Sequence, residues 1–143
     1  MASITNPILW IHGDNLHPNS PVWQTYPAAP AIWVWDDAYL RRAGFSLKRI
    51  LFLYECLLAL PVDIYRGDVV AELTAFAQRH ASRDIVTMGS PSPGFARYCD
   101  RLRTADFTLH IYDEEPFVML PPNPDLRRFS RYWRVAQAGL KAQ

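Results

Sequence analysis

The sequence has 143 residues, half of them hydrophobic and a fifth charged, with a formal net charge of +1. These values are typical of one soluble globular domain with a sizeable core, and they exclude a strongly basic nucleic-acid binder. No apolar run approaches the ~20 residues of a membrane-spanning helix, and the N-terminus has no signal-peptide core. We therefore expect a cytoplasmic protein with no membrane partner. Two cysteines, Cys56 and Cys99, are too few for a disulfide framework.

Apolar runs alternate along the chain with segments of helical spacing. Short continuous apolar runs are typical of strands that are covered on both faces. The predicted strands are 8–11, 31–35, 62–65, 85–88 and 107–112. The predicted helices are a short one at 21–26, then 47–60, 69–79 and 95–104, with 36–45 as a loop. Alternation with helix-length crossovers predicts an α/β fold, a Rossmann-like doubly wound parallel sheet of five strands in the order 3-2-1-4-5.

The helix predicted at 47–60 begins after Ser46, a suitable N-cap, and ends before Pro61. Its apolar residues recur at helical spacing, which predicts a face directed at the sheet. The residues of that predicted face are Leu47, Ile50, Leu51, Tyr54, Leu57 and Leu58.

The last segment of the chain differs in charge from the rest. Residues 123–143 hold five basic side chains, Lys141 among them, and one acidic side chain, whereas residues 1–122 have a net charge of −3. We therefore divide the chain into an α/β domain, 1–120, and a stiff proline linker with a basic amphipathic helix, 121–143. The helix is predicted from about Asp125, with an apolar stripe of Leu126, Phe129, Trp133, Ala136 and Leu140.

We expect that stripe to be buried in a contact, because soluble monomers rarely expose apolar patches of this kind. We expect Trp133 to be largely buried, either on its own domain or across a homodimer contact of the C-terminal helix. The arginines of this helix could instead contact nucleic-acid phosphates, but packing on the domain or on a partner is the better interpretation.

The predicted strand order places a ligand site at the carboxyl edge of the sheet. In such folds ligands bind where the strand order reverses, here between the first and fourth strands. The loops His12–Pro18 and Gly89–Pro93 should face each other there, with the end of the second strand beside them. The candidate binding residues from these segments are His12, Gly13, Asp14, Asp36, Gly89 and Ser90.

Common cofactor motifs are missing from the sequence. There is neither a GxGxxG nor a GxxxxGK[ST] run, and no GxSxG motif supports a serine nucleophile. Gly89–Ser92 precedes a helix whose N-terminus could bind an anion, although a plain turn is the better interpretation. His12, Asp14 and His17 could suggest a metal site, but no matching ligand pair occurs elsewhere, so we expect none.

Acidic residues at the predicted strand ends leave two interpretations open. Their carboxylates could hydrogen-bond a ribose or a heteroaromatic ring, or they could simply favour solubility. The residues concerned are Asp14, Asp36, Asp37 and Asp68. For Trp33 and Trp35, on one face of the second strand, core packing is favoured over stacking on a ligand.

The order of short motifs resembles the N-terminal α/β domain of DNA photolyases and cryptochromes. The family opens with a strand ending in Trp-Phe-Arg-Arg-Asp-Leu-Arg, and Trp10, Asp14 and the later Pro21 match that opening. His12, Gly13 and Leu16 replace its arginines. Further similar runs follow in the family's order, over nearly the whole chain. They are Val34–Asp36, Phe45–Ser46, Tyr65–Asp68, Ala96–Asp100 and Phe129–Arg134.

The resemblance implies an antenna-type pocket for a deazaflavin- or folate-like chromophore, and it adds Asp100 to the candidate binding residues. In the family, flavin binding and DNA repair belong to a larger helical domain. We therefore expect no FAD, no repair activity and no DNA binding from this chain alone, and no catalytic residues. The alternatives are a small nucleotide-binding enzyme or sensor, and an interaction subunit for a separately encoded flavin-binding protein.

Overall fold

The computed structural model describes residues 4–140, so Lys141 and the ends of both predicted segments lie outside it. Within this range the chain forms five strands and six helices. In chain order they are β1 (Ile8–Ile11), α1 (Pro21–Thr25), β2 (Ala31–Trp35), α2 (Asp37–Arg42), α3 (Leu47–Leu58), β3 (Asp63–Arg66), α4 (Val69–Arg79), β4 (Asp84–Met88), α5 (Pro93–Thr104), β5 (Thr108–Tyr112) and α6 (Phe129–Leu140). None of these helices is long and apolar enough to cross a membrane.

The five strands form one parallel sheet in the order β3-β2-β1-β4-β5, which confirms the predicted fold class. β1 lies at the centre, paired with β2 on one side and β4 on the other. The chain leaves β1 towards β2 and β3 and then crosses back to β4. The strand order therefore reverses between β1 and β4, and the loops that follow these two strands diverge from that point.

Alternate side chains of the central strands pack into two separate cores. Ile8 and Trp10 face α4 and α5, whereas Leu9 and Ile11 face α1 and α3. Because both faces of the sheet are covered, every residue of β1 is buried, which is why the strand is continuously apolar in sequence. The buried Thr87 hydroxyl is satisfied, since it donates to the carbonyl oxygen of Trp10 at 2.8 Å.

Side-chain oxygens cap three of the helices at their N-termini. Ser46 accepts a hydrogen bond from the backbone N–H of Arg49, as its position before α3 predicts. Asp68 caps α4 in the same way. Asp36 caps α2, whose residues were predicted as a loop. The six residues of α2 are too few to show a helical repeat in the sequence. The N-cap residue Asp36 is therefore the feature of the sequence that could have predicted this helix.

The predicted core face of α3 is wrong in part. Leu57 is buried, together with Leu53, which was not predicted to face the core. Leu47 and Leu58, by contrast, are 82% and 66% exposed. The helix is apolar on most of its circumference, so spacing alone does not identify the side that meets the sheet.

The C-terminal helix also differs from its prediction. It begins at Phe129 rather than near Asp125, because the Asp125 carboxylate accepts the backbone N–H of Arg127 and thereby forms a turn. Trp133 is 44% exposed, so its predicted burial on its own domain is wrong. The member of the stripe that is buried is Ala136. A homodimer contact through this helix stays a prediction.

Candidate functional site

A cavity of about 110 Å³ opens at the carboxyl edge of β1 and β2. The ends of these strands, the segment from α2 to α3 and the first turn of α5 enclose it. Much of its wall is aromatic, contributed by Trp10, Trp33, Trp35, Tyr39, Phe45, Phe95 and Tyr98. Because pockets for drug-sized ligands measure roughly 300–1,000 Å³, this volume suits a single ring system rather than a whole dinucleotide.

Two aromatic residues of α5 pack directly on β1. The Phe95 ring stacks on Trp10, with ring centroids 5.4 Å apart and planes at 19°. Tyr98 meets the same indole edge-on, at 6.2 Å and 90°. Residues three apart on a helix lie on one face, so Phe95 and Tyr98 contact one side of the indole together and fix the start of α5 over the cavity.

The opposite wall is formed by two tryptophans of β2. Trp33 and Trp35 lie on one face of the strand with ring centroids 5.0 Å apart. They pack with the core, as predicted, and also line the cavity. The Trp33 indole N–H is buried and has no hydrogen-bond partner among the described residues. A buried unpaired donor costs about 1–3 kcal/mol.

Asp36 and Tyr98 form a polar pair between the cavity and the solvent. The Tyr98 hydroxyl donates to one Asp36 carboxylate oxygen at 3.1 Å, while the other accepts the N–H of Tyr39 at 3.1 Å. Burial, together with the charge of Asp36, raises the pKa of Tyr98 to about 12. Tyr98 therefore remains a hydrogen-bond donor at neutral pH, and Asp36 positions both tyrosines.

His12 connects the loop after β1 to the end of β4. Its Nε2 lies 2.7 Å from the Met88 carbonyl oxygen, and its Nδ1 accepts the N–H of Asp14 at 3.3 Å. These partners require the neutral tautomer with the proton on Nε2. Burial lowers the pKa of His12 in the same sense, so the ring acts as a neutral structural link.

The histidines of this loop do not converge on a metal. The His17 Nε2 atom lies 2.9 Å from the Glu114 carboxylate, which follows β5. His12 contacts Met88 and Asp14 instead, so the two histidines share no partner. Across residues 4–140, no group of three or more His, Cys, Asp or Glu side chains is placed to hold a metal ion. The arrangement around His12 and His17 thus serves loop structure.

Asp14 joins the two loops on either side of the strand-order reversal. One of its carboxylate oxygens accepts the hydroxyls of both Ser90 and Ser92, the latter at 3.0 Å. The Ser90 hydroxyl oxygen in turn accepts the N–H of Ser92 at 3.0 Å. A carboxylate of the chain itself therefore lies beside the N-terminus of α5, where an anionic ligand would otherwise be favoured.

A second, polar cleft adjoins the aromatic cavity and shares Asp36, Gly94 and Tyr98 with it. Four arginines line this cleft: Arg42, Arg66, Arg97 and Arg101. Two of them are neutralised, because Arg66 donates to Asp37 at 3.0 Å and Arg101 donates to Asp68 through both nitrogens, at 3.0 and 2.9 Å.

These hydrogen bonds lower the pKa of both carboxyl groups, so the two aspartates keep their charge to a lower pH than an unpaired aspartate does. In the part of the chain that the structure describes, no carboxylate lies within ion-pair distance of Arg42 or Arg97. Asp36 also lines the cleft, so four arginines face three aspartates there, a net of one positive charge next to the aromatic cavity. Arg42 and Arg97 can still donate to an anionic group.

The structure brings together most of the residues that the sequence singled out. His12, Gly13, Asp14, Asp36 and Ser90 line the aromatic cavity. Placement at this edge agrees with the predicted strand order, and a binding role for these residues stays a prediction.

Gly89 and Asp100 line neither the cavity nor the cleft. The Gly89 N–H donates to the Tyr112 carbonyl at 2.7 Å, and a Cβ there would meet the Asp113 side chain, so the glycine belongs to the β4–β5 side of the sheet. Asp100 lies on the exposed side of α5, where it pairs with Arg103 at 3.2 Å.

Sequence reasoning missed several residues of the site. Tyr39 lies within α2 and Phe45 follows it, in a segment predicted as a loop. Phe95 and Tyr98 show one usable signal, because their spacing of three at the start of a helix places both on one face. Arg97 lies in the run Ala96–Asp100 that resembles the photolyase family, but nothing in the sequence shows that Arg42 and Arg97 form no ion pair, because that depends on which arginines Asp37 and Asp68 bind.

The sheet and the site define the chain as a doubly wound α/β protein with an aromatic cavity at the carboxyl edge of β1 and β2, next to the strand-order reversal, and an arginine-lined cleft beside it. Comparison with models of protein families and with curated proteins gives no match. The function of this chain is therefore inferred from the geometry of these two adjoining sites.

Proposed function

We propose that this protein is a ligand-binding module of the photolyase–cryptochrome type, whose aromatic cavity holds one flat ring system. The observation that supports this proposal most strongly is the cavity wall, where indole, phenyl and phenol rings surround a narrow space at the carboxyl edge. Aromatic walls favour planar heterocycles through offset and edge-on contacts.

The adjoining cleft indicates what the ring is attached to. Arg42 and Arg97 offer two guanidinium groups without an ion-pair partner among the described residues, beside the mouth of the cavity. A ligand whose ring fills the cavity would extend an anionic substituent into this cleft, since the cavity alone is too small for more than the ring. Flavin-, deazaflavin- and folate-like molecules combine a planar heterocycle with a polar or anionic chain.

The loop before α5 favours this proposal over a nucleotide sensor that uses Gly89–Gly94 for phosphate. Its two serine hydroxyls donate to Asp14, and that carboxylate repels a second anion. The same hydrogen bonds speak against catalysis by a serine nucleophile, because neither hydroxyl meets a general base such as His12. Binding without chemistry is therefore the function that the site supports.

Tryptophan fluorescence tests ligand binding directly, because Trp10, Trp33 and Trp35 line the cavity. We expect flavin mononucleotide, a 5-deazaflavin or a folate to quench this fluorescence with saturation, and riboflavin to bind more weakly than flavin mononucleotide because it lacks the phosphate. Saturable quenching by ATP alone would instead support the nucleotide alternative. No saturable change with any ring ligand would contradict the proposal.

Gly94 lies where the cavity and the cleft meet, so a long side chain at this position would block their junction. A Cβ at this position would lie 3.6 Å from Tyr39 and 3.7 Å from Tyr98, which are ordinary contact distances. Gly94→Ala should therefore bind as the parent does, whereas the longer side chain of Gly94→Met should reduce affinity at least about tenfold by filling the mouth. Equal affinities of the two variants would place the ligand elsewhere.

A further inference from the structure

Helix α3 exposes four large side chains along one line. Leu47, Leu51, Tyr54 and Leu58 are all exposed, by 45–82%. Their spacing of four, three and four residues puts them on a single face of the helix. We call these four residues the α3 stripe. Soluble monomers rarely leave a contiguous apolar surface of this kind uncovered.

The α3 stripe is separate from the side of the helix that meets the sheet. Leu53 and Leu57 make that contact and are buried with Leu9, Ile11 and Trp33. Folding of the domain therefore does not require the α3 stripe, and its apolar character calls for a different explanation.

The spacing of the residues in the α3 stripe is the same whether the helix is followed from its N-terminus or from its C-terminus. A spacing of four, three and four is symmetric about the point midway between Phe52 and Leu53. When a second copy of the helix lies antiparallel on the first, Leu47 therefore meets Leu58 of the other copy, and Leu51 meets Tyr54. Such spacing matches the alternating a and d positions of a coiled coil, which form the contact between two helices.

Two opposite charges flank the α3 stripe on one side. Lys48 and Glu55 are seven residues apart, so both occupy the same heptad position, next to the contact. In an antiparallel pair this position faces its own equivalent, which brings Lys48 of each copy to Glu55 of the other. In a parallel pair the facing positions are Ile50 and Leu57, and the two charges gain no partner.

We propose that α3 is a self-association surface, on which a second copy of this chain binds in antiparallel orientation about a two-fold axis. The symmetric apolar spacing and the complementary charges both select a second copy as the occupant. A face of one 12-residue helix is small compared with a standard interface of roughly 800 Å² per partner. The dimer should therefore depend on protein concentration.

Sedimentation velocity over a concentration series measures this association. We expect the mass to rise from the monomer value of 16.4 kDa towards twice that value. Leu51→Glu should abolish the rise, because it places a charge in the centre of the contact. Phe52→Glu is the matched control: Phe52 is the next residue, 62% exposed, but about 100° further round the helix. It should dimerise as the parent does, and circular dichroism checks that both variants fold.

A charge exchange tests the orientation. Lys48→Glu and Glu55→Lys should each weaken dimerisation about tenfold, because two symmetry-related attractive pairs become repulsive. The double variant should restore the parental association. A chain that stays monomeric throughout, a dimer that survives Leu51→Glu, or a double variant that is not restored would each overturn the proposal. Loss of the dimer in Trp133→Ala but not in Leu51→Glu would assign the contact to α6 instead.

Discussion

At the scale of single residues, three helices end in the same backbone motif with different residues at its left-handed position. After α2, α4 and α5 this position is occupied by Gly44, Ala81 and Asp106, with φ angles of +67°, +50° and +63°. In each case the N–H of this residue and the N–H of the next residue donate to carbonyls of the last turn, as in a Schellman motif. Only Gly44 adopts this conformation without steric cost.

The motif predicts opposite effects for two simple exchanges. Ala81→Gly should raise the free energy of unfolding by about 0.5–1 kcal/mol, because it removes the clash of a Cβ in the left-handed region. Gly44→Ala should lower it by about 1 kcal/mol for the same reason. Urea melts of the two variants measure both changes, and destabilisation by Ala81→Gly would show that the motif at the end of α4 is not formed.

His12 makes stability depend on pH in a predictable direction. Burial lowers its folded-state pKa below the ordinary value of 6.5, so below that pH the unfolded chain binds a proton that the folded chain does not. The contribution of neutral His12 is therefore fully present above about pH 6.5 and is lost as the pH falls towards the folded-state pKa.

We expect His12→Gln to flatten the decline of stability between pH 7 and the acid limb, because glutamine can still donate to the Met88 carbonyl but does not titrate. Denaturant melts at a series of pH values compare the variant with the parent. An NMR titration in which the His12 ring titrates above pH 6.5 would contradict the assignment of a buried neutral ring.

At the scale of elements, α6 is attached to the preceding segment by its small residues. Ala136 is 1% exposed, and a Cβ at Gly139 would lie 2.6 Å from the Met119 carbonyl oxygen. The large aromatic residues Phe129 and Trp133 stack on each other, with planes at 12°, and remain partly in solvent. Close backbone approach therefore holds this helix more than burial of its tryptophan does.

Because of this arrangement, a substitution of the small Ala136 should destabilise the protein more than a substitution of the large Trp133. Trp133→Ala should cost only about 1 kcal/mol, well below the 3–5 kcal/mol of a fully buried tryptophan. Ala136→Asp should cost more, on the order of 3 kcal/mol, because it forces a charge into a closed contact. Denaturant melts or amide-exchange protection of α6 would show the order, and a larger loss from Trp133→Ala would restore the interpretation drawn from the sequence.

At the scale of the whole molecule, α3 is common to the two proposed functions. Arg49 and Leu53 contribute to the wall of the aromatic cavity, while the α3 stripe faces away from the sheet. The Arg49 guanidinium lies over the Phe45 ring at 3.9 Å, which attaches the start of the helix to the cavity rim. Ligand binding and self-association would therefore involve opposite sides of one helix.

The order of apolar and polar residues along the chain is enough to predict the sheet, its strand order and the edge at which the cavity opens. Strands covered on both faces are continuously apolar, as Ile8–Ile11 and Ala31–Trp35 show, and helix-length crossovers allow few topologies. Cap residues such as Ser46 marked the starts of helices. From the order of the strands it followed that Asp14, Asp36 and Ser90 would lie at one edge.

Which surfaces of the helices are buried, and which side chains form the site, depends on how the elements pack together. α3 is apolar on most sides, so its contact with the sheet through Leu53 and Leu57 depends on where the helix lies. The bond between Asp14 and Ser90 joins residues 76 positions apart. Arg42 and Arg97 remain unpaired because Asp37 and Asp68 bind other arginines. Such long-range contacts follow from packing in three dimensions and cannot be predicted from the local spacing of residues.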